Sequence, residues 1–142
     1  MLQPFITFQG DASEAIDFYE EVFNGTNKEI MRWGDTPINP SASEKMKDKI
    51  LYAKMNICGT DVMFSDTDPG THAPETFARS CMISLAVNFD SEEALRLAYD
   101  KLASGGFVLM EMAPQFFAKM YAWVADKYGV TWQLTYNPIN HQ

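Results

Sequence analysis

The sequence predicts an α+β domain built from two tandem βαβββ modules, each with a helix on one face of a four-stranded mixed sheet. The first observation is an internal repeat. Two apolar-rich runs, residues 50–66 and 120–136, surround turn glycines Gly59 and Gly129, which lie 70 positions apart. Because glycine adopts the positive φ angles of tight turns, and β-branched and aromatic residues flank both turns, each run predicts a β-hairpin.

The second observation is that an amphipathic pattern precedes each hairpin. In the first module, Asp11 to Glu14 is typical of a helix N-terminus, with the Asp side chain accepting a hydrogen bond from a backbone amide three residues on. Apolar residues then recur on one helical face, and Asn24-Gly25 ends the helix. The residues of this face are Ala15, Phe18, Tyr19, Val22 and Phe23.

The second module repeats this helix at an offset of 79 residues. Asp90 to Glu93 predicts an N-terminus of the same kind, and Ser104-Gly-Gly106 ends the helix. The offset aligns Phe18 with Leu97. We therefore expect both side chains to point into the core, so that Phe18→Ala and Leu97→Ala would each leave a cavity.

The remaining segments complete the two modules. Strand-like runs cover Leu2 to Phe8, Lys28 to Trp33, Ser80 to Phe89 and Phe107 to Met112, and the prolines of residues 35–43 indicate a long loop. We expect one domain over residues 1–142, with module one at 1–66, a connector at 67–78 and module two at 79–138.

Composition restricts the function classes. A chain of 142 residues with 46% hydrophobic and 21% charged residues is typical of one globular domain. Its net charge of −8, with scattered basic residues, argues against nucleic acid or an anionic membrane surface as a partner. No long apolar window and no leader-like N-terminus occur, so a cytoplasmic location is expected.

Metal and redox sites are not indicated by the residue types. The two cysteines, Cys58 and Cys81, lack CxxC spacing and are expected to be reduced thiols. The two histidines are His72 in the connector and His141 near the C-terminus. A site that needs several imidazoles cannot be assembled from one such chain. No cofactor is predicted.

Alternation in the hairpins predicts which side chains face a ligand. Val62 and Phe64, like Trp132 and Leu134, should face the helices, which leaves Met63 and Gln133 on the opposite faces. We expect the ligand pocket between the two hairpins, on the face that carries Met63, Met82 and Gln133. The flexible thioethers of the methionines suit an adaptable apolar pocket, and they equally suit ordinary core packing.

Three further side chains are candidates for ligand binding. Tyr52 and Lys54 alternate on the strand face opposite the helix, where the lysine could act as a general base or hold an anion, or could simply be solvated. Trp33 could stack on a planar ligand, whereas Trp132 is expected in the core. Asp66 and Asp126 lie near turns, and turn chemistry explains them.

Four motifs carry a family resemblance over nearly the whole chain. They are Pro4-Phe-x-x-Phe-x-Gly10, Glu14-Ala15-x-x-Phe18-Tyr19-x-x-x-Phe23-x-Gly25, Ser65-Asp66 and Asp126-Lys-Tyr-Gly-Val-x-Trp132. Together they resemble the PhnB-like branch of the vicinal-oxygen-chelate superfamily, which includes glyoxalase I, bleomycin-resistance proteins and extradiol dioxygenases. The resemblance implies U-shaped sheets around a concave cleft, and a homodimer.

The resemblance also implies positions for metal ligands, which here are Pro4, Met63, Met82 and Gln133. None of these is the His, Asp or Glu that the metal-using members supply, and Tyr52 and Lys54 stand where many PhnB-like sequences have His and Glu. We therefore expect the metal site to be lost. The name methyltransferase is sometimes attached to this branch, but Gly10 alone does not form the Gly-rich turn of a nucleotide-type cofactor site.

The leading hypothesis is metal-independent binding of a small, partly apolar molecule in the concave cleft. The alternative is an enzyme of the superfamily, of lyase, isomerase or dioxygenase type, that uses Tyr52, Lys54 or Gln133 or an unmapped metal site. A dimer that serves only in protein interaction is the third class. The sequence assigns no catalytic residue.

Overall fold

The computed structural model describes residues 1–35, 44–67 and 82–138. The chain divides into two compact units, Met1–Ala78 and Arg79–Gln142. Within the described ranges, neither 12-residue helix is long and apolar enough to span a bilayer.

The first unit is a βαβββ module. Its sheet order is β1-β4-β3-β2, with β1 parallel to β4 and the other neighbours antiparallel. Two short 3₁₀ turns, Trp33–Asp35 and Glu44–Met46, lie between β2 and β3. The elements are β1 (Phe5–Phe8), α1 (Ala12–Phe23), β2 (Thr26–Arg32), β3 (Ile50–Ile57) and β4 (Thr60–Asp66).

The second unit has the same topology. Its sheet order is β5-β8-β7-β6, again with one parallel pair, β5 with β8. The elements are β5 (Leu85–Phe89), α2 (Glu92–Ala103), β6 (Phe107–Gln115), β7 (Ala118–Ala125) and β8 (Thr131–Tyr136). The prediction of two βαβββ modules with mixed sheets is thus confirmed.

The two turn glycines have the backbone conformation that the repeat predicts. Cys58 and Gly59 have φ angles of 51° and 91°, which makes the β3–β4 connection a two-residue turn with positive φ at both positions. Gly129 has a φ of 92° in the longer β7–β8 connection. The glycines are needed because an L side chain is strained in this region.

Helix α1 packs on β3 and β4 through one buried stripe. Ala15, Ile16 and Tyr19 are fully buried, and the Tyr19 ring stacks on Phe64 with centroids 6.1 Å apart. A Cβ atom at Gly25 would lie 2.5 Å from the Met55 sulfur. The chain therefore needs glycine where it leaves the helix, because any side chain would displace the buried methionine.

The inward face of α2 differs from the prediction. Leu97 is 56% exposed and Phe18 is half-buried, so the pair expected in the core is wrong for Leu97 and only partly right for Phe18. The buried residues of α2 are Leu95, Ala98 and Leu102. The offset of 79 pairs Leu95 with buried Ile16, which is not part of the predicted stripe. Because successive helical residues lie about 100° apart, Leu95 and Leu97 lie on different faces of α2.

The helix caps also differ from the prediction. Asp11 precedes α1, but its side chain makes no capping hydrogen bond. The first helical amide, that of Ala12, instead donates to the Asp66 carboxylate at 3.0 Å. Ser91, not Asp90, is the N-cap of α2, and its hydroxyl accepts from the Ala94 amide at 3.1 Å.

Two strands begin later than predicted. β1 begins at Phe5, since Pro4 has no N–H for a sheet ladder and suits the strand's entry. β5 begins at Leu85, so Met82 lies before the strand and is 89% exposed, contrary to the expectation that it sits within a strand. Residues 36–43 of the predicted loop at 35–43, residues 68–78 of the connector and Ser80–Cys81 lie outside the described residues.

Candidate functional site

Each sheet has one face covered by its helix and one opposite face, which we call the helix-free face. On β3, Ala53, Met55 and Ile57 are buried toward α1, while Tyr52 and Lys54 are half-buried on the helix-free face. Period-two alternation of strand side chains produces this division. The predicted face assignment is correct for this unit.

A row of four side chains crosses the helix-free face of the first sheet. Strand register places Phe5 beside Met63, Met63 beside Lys54 and Lys54 beside Glu29. Phe5 is 52% exposed and Met63 is half-buried. The row therefore joins an apolar half to a charged half.

The charged half of this row is an ion pair. Lys54 Nζ lies 3.1 Å from Glu29 Oε2. The hydrogen bond to Glu29 raises the pKa of Lys54, and the negative charges of Glu29 and Asp61 add to the effect. Lys54 therefore stays protonated at neutral pH, which makes it a poor general base. It contributes a positive charge that is already paired.

Trp33 lies in the 3₁₀ turn after β2 and is half-buried. Its indole Nε1 donates to the Asp66 backbone oxygen at 3.3 Å, and its amide donates to the Lys49 oxygen at 2.9 Å. Trp33 is not part of the row that contains Met63. Its hydrogen bonds hold the turn to the sheet.

Asp66 has a structural role that its position near a turn did not predict. Its buried carboxylate accepts from the backbone amides of Gly10 at 2.9 Å, Ala12 at 3.0 Å and Ile50 at 3.0 Å. These bonds join the β1–α1 turn, the first residue of β3 and the end of β4. The carboxylate caps α1 from a distant part of the chain.

The second sheet carries a different row on its helix-free face. Register places Ala86 beside Gln133, Gln133 beside Trp123 and Trp123 beside Met110. Gln133 and Trp123 are half-buried, whereas Trp132 and Leu134 are buried toward α2. The predicted faces of Gln133 and Trp132 are confirmed.

Two hydrogen bonds fix polar side chains on this face. The Tyr121 hydroxyl donates to Gln133 Oε1 at 2.9 Å, and Trp123 Nε1 donates to Ser84 Oγ at 3.1 Å. The Tyr121 ring also contacts Phe117 edge-on, with centroids 5.0 Å apart, and Phe117 contacts Phe116. Burial raises the pKa of Tyr121. Tyr121 was not among the predicted site residues, although it lies two residues before Trp123 and so shares its strand face.

Register shows which residues of β1 and β5 lie level with two of the positions to which the resemblance assigns metal ligands. The residue level with Met63 is Phe5, not Pro4, whose backbone oxygen accepts from the Met63 amide at 3.0 Å. The residue level with Gln133 is Ala86, not Met82. Neither Phe5 nor Ala86 has a metal-binding atom. Among the described residues, no three His, Cys, Asp or Glu side chains are grouped so that they could hold a metal ion.

The motif Asp126-Lys-Tyr-Gly-Val-x-Trp132 is explained by the structure of the loop between β7 and β8. Asp126 Oδ1 accepts from the amides of Tyr128 at 2.9 Å and Val130 at 3.1 Å, and Oδ2 accepts from Trp132 Nε1 at 2.9 Å. The turn role expected for Asp126 is confirmed, and it extends to a buried tryptophan. This motif therefore shapes the β7–β8 connection.

The candidate binding residues thus belong to two described surfaces. Met63, Tyr52 and Lys54 lie on the helix-free face of the first sheet, and Gln133 lies on that of the second. Met82 and Trp33 lie outside these strands. The location of the pocket between the hairpins stays a prediction.

Comparison with known proteins gives matches over almost the whole chain. A family model described as 3-demethylubiquinone-9 3-methyltransferase matches residues 1–135. Protein YjdN of Escherichia coli (strain K12) is 26% identical over 141 residues, covering 94% of this chain and 92% of that protein.

Solved structures show the same architecture. A putative 3-demethylubiquinone-9 3-methyltransferase, the PhnB protein from Bacillus cereus, is 29% identical with a TM-score of 0.76, covering 95% of this chain and 98% of that one. A glyoxalase-related enzyme from Fulvimarina pelagi is 19% identical with a TM-score of 0.58, covering 98% and 90%. The second likeness concerns the fold alone.

Proposed function

We propose that this chain binds a small molecule without a metal. The molecule is partly apolar. The chain belongs to the family described as 3-demethylubiquinone-9 3-methyltransferase, and so to the PhnB-like branch of the vicinal-oxygen-chelate superfamily. The observation that carries the proposal is the mixed chemistry of the helix-free faces. Ligand sites combine apolar surface with a few fixed polar groups, and these faces offer Phe5 and Met63 in one unit and Trp123 with Gln133 in the other.

The donor atoms on these faces do not fit a divalent metal. The resemblance assigns ligands to Met63, which is a soft thioether, and Gln133, which is a neutral amide, and the residues level with them on the neighbouring parallel strands, Phe5 and Ala86, have no donor atom in their side chains. Zn²⁺ prefers imidazole, thiolate and carboxylate ligands, and Mg²⁺ is usually bound through one or two carboxylates together with waters. The proposed function therefore involves no metal.

Methyl transfer has little support from this chain's residues. A cofactor of the nucleotide type is commonly held by backbone amides where a Gly-rich turn meets a helix N-terminus. In the first unit, the amides of Gly10 and Ala12 in that turn already donate to the Asp66 carboxylate. In the second unit, the Ala94 amide donates to Ser91, and the turn before α2 contains no glycine.

Acid–base catalysis by Lys54 is also disfavoured. Its pairing with Glu29 raises its pKa, so the neutral amine that a general base requires is scarce near neutral pH. The superfamily-enzyme alternative would then depend on Tyr52, on Gln133, whose amide is not a base, or on an unmapped metal site. Ligand binding requires no general base among these residues, so it accounts for them better than catalysis does.

A ligand screen tests the proposal. Isotope-labelled protein is screened by NMR against a library of neutral aromatic and aliphatic fragments. We expect hits to shift resonances of Met63, Trp123 or Gln133, and Gln133→Leu to weaken them while leaving the melting temperature within a few degrees of the wild type. Gln115→Leu is the matched control, since Gln115 is level with buried Ala118 and not with Tyr121 or Trp123. Hits that shift neither helix-free face would contradict the proposal.

Two further expectations accompany this proposal. A homodimer follows from the resemblance, and a cytoplasmic location from the sequence pattern. Both stay predictions.

A further inference from the structure

We infer that Tyr121 is a positioning residue, which fixes the Gln133 side-chain amide so that its N–H₂ group recognises a hydrogen-bond-accepting oxygen on a neutral ligand. This inference rests on the proposed function for its ligand. It goes further by assigning a role to Tyr121 and by naming the chemical group that Gln133 selects.

The geometry determines which end of the amide is presented. A glutamine amide can accept through Oε1 and donate through Nε2. Tyr121 and Gln133 lie diagonally across β7 and β8, and the tyrosine hydroxyl donates to Oε1 at 2.9 Å. With the oxygen engaged, the two hydrogens of Nε2 point away from the tyrosine. Gln133 therefore acts as a donor toward a ligand.

The amide nitrogen is accessible. Within the described ranges, the Gln133 side chain has one hydrogen bond, which it accepts from Tyr121. No buried side-chain nitrogen or oxygen in the described part of the chain lacks a partner, so the Nε2 atom contacts solvent. A half-buried donor that is held in place and still open to solvent is suited to a ligand acceptor, because little ordering remains to be done on binding.

Tyr121 is held firmly enough to orient its neighbour. Its side chain is 6% exposed, and Phe117 packs against the ring edge-on at 5.0 Å. Burial raises the pKa of Tyr121, which keeps the hydroxyl protonated and able to donate at neutral pH. Trp123, two residues after Tyr121 on β7, is fixed by its own hydrogen bond to Ser84.

The surroundings of Gln133 favour a neutral, apolar ligand with one acceptor. Its strand neighbours on this face are Ala86 and Trp123, and Met110 follows in the row. These side chains offer apolar surface, and the net charge of −8 disfavours anions. The chemical class is a ketone, aldehyde or amide attached to an aromatic or aliphatic body.

The first experiment tests the positioning role without a ligand. The side-chain N–H₂ signals of Gln133 are assigned by their loss in Gln133→Leu, and their ¹⁵N heteronuclear NOE is measured. We expect a rigid amide in the wild type and in Tyr99→Phe, a matched control on α2 outside the site. Tyr121→Phe should make the amide mobile, with the backbone spectrum otherwise retained. A mobile Gln133 amide in the wild type, or a rigid one in Tyr121→Phe, would overturn the positioning role.

The second experiment tests the acceptor preference with two probes of nearly the same shape, 2-acetylnaphthalene and 2-isopropenylnaphthalene, in which a CH₂ group replaces the carbonyl oxygen. The wild type should bind the ketone about 3- to 10-fold more tightly, the value of one added hydrogen bond. Gln133→Glu, whose carboxylate donates nothing, should abolish this preference, and Tyr121→Phe should reduce it. Equal affinities in the wild type, or no binding of the ketone, would overturn the acceptor preference. Shifts on this face by other fragments would leave the proposed binding function standing.

Discussion

The carboxylate of Asp66 accepts hydrogen bonds from three backbone amides in two separate segments of the first unit. Two of the three donors, Gly10 and Ala12, are more than fifty residues away along the chain. A buried carboxylate with three amide donors is well compensated for its lost hydration. Losing it would leave buried N–H groups without acceptors, which costs about 1 to 3 kcal/mol.

We therefore expect Asp66→Asn to lower the free energy of unfolding by about 1 to 3 kcal/mol. The carboxylate uses both oxygens, Oδ1 for two amides and Oδ2 for Ile50. An asparagine offers one oxygen, so its N–H₂ group must face at least one backbone donor. Urea denaturation measures the loss. Asp90→Asn, at an exposed position before α2, is the control, and equal stability of the two variants would contradict the role of Asp66.

At the scale of elements, helix α2 shows how two neighbouring leucines differ. Leu95 is fully buried against the sheet, whereas Leu97, two residues on, is largely exposed. The two positions are about 200° apart around the helix axis. The same substitution at these sites therefore separates packing from helix propensity.

We expect Leu95→Ala to destabilise the protein by about 2 to 5 kcal/mol, because it leaves a cavity in the core. Leu97→Ala should change stability by no more than about 0.5 kcal/mol, since little of its contact surface is buried and alanine is a good helix former. Thermal and urea unfolding of both variants measure the difference. Similar losses for the two would show that the inward face of α2 is misassigned.

The hairpins were the elements that the sequence predicted best. Glycines at Gly59 and Gly129 combine with alternating apolar residues, so local turn chemistry and burial favour the same structure. The cap of α1 could not be predicted because its acceptor, Asp66, is supplied by β4. The inward residue of α2 was missed because it was taken from Phe18 by the offset of 79, whereas the fully buried residue of α1 at this level is Ile16, which aligns with Leu95.

The candidate site was predicted in part for the same reason. Alternation correctly placed Met63 and Gln133 opposite the helices, since period two is a property of any strand. It could not show that Glu29 pairs with Lys54, or that Tyr121 holds Gln133. Those contacts cross between strands, and the strand register that produces them is not local information.

At the scale of the whole chain, the two units repeat one topology with different chemistry at equivalent positions. Met63 in the first sheet corresponds to Gln133 in the second, and Phe5 corresponds to Ala86. None of the four is a good ligand for a hard or borderline divalent cation. The chemistry of these positions is therefore the basis for an expectation about metal content.

We expect purified protein, incubated with Zn²⁺, Ni²⁺ or Mn²⁺ and then desalted, to hold well below one ion per chain by elemental analysis. The melting temperature should be unchanged by a chelator, because metal binding to the folded state would raise it. Phe5→His combined with Met63→Glu, which places two ligands side by side on one sheet face, is a gain-of-binding control. One tightly held ion per wild-type chain, lost on changing Met63 or Gln133, would contradict this expectation.

The division of each sheet into a helix-covered and a helix-free face has an evolutionary consequence. Equivalent covered positions of the two units carry residues that pack, as Ala53 and Ala122 or Phe64 and Leu134 illustrate. The opposite face is free of that constraint, and Lys54 in one unit stands where Trp123 stands in the other. A new specificity can thus arise by drift on one face at little cost to folding, which makes this architecture readily evolvable.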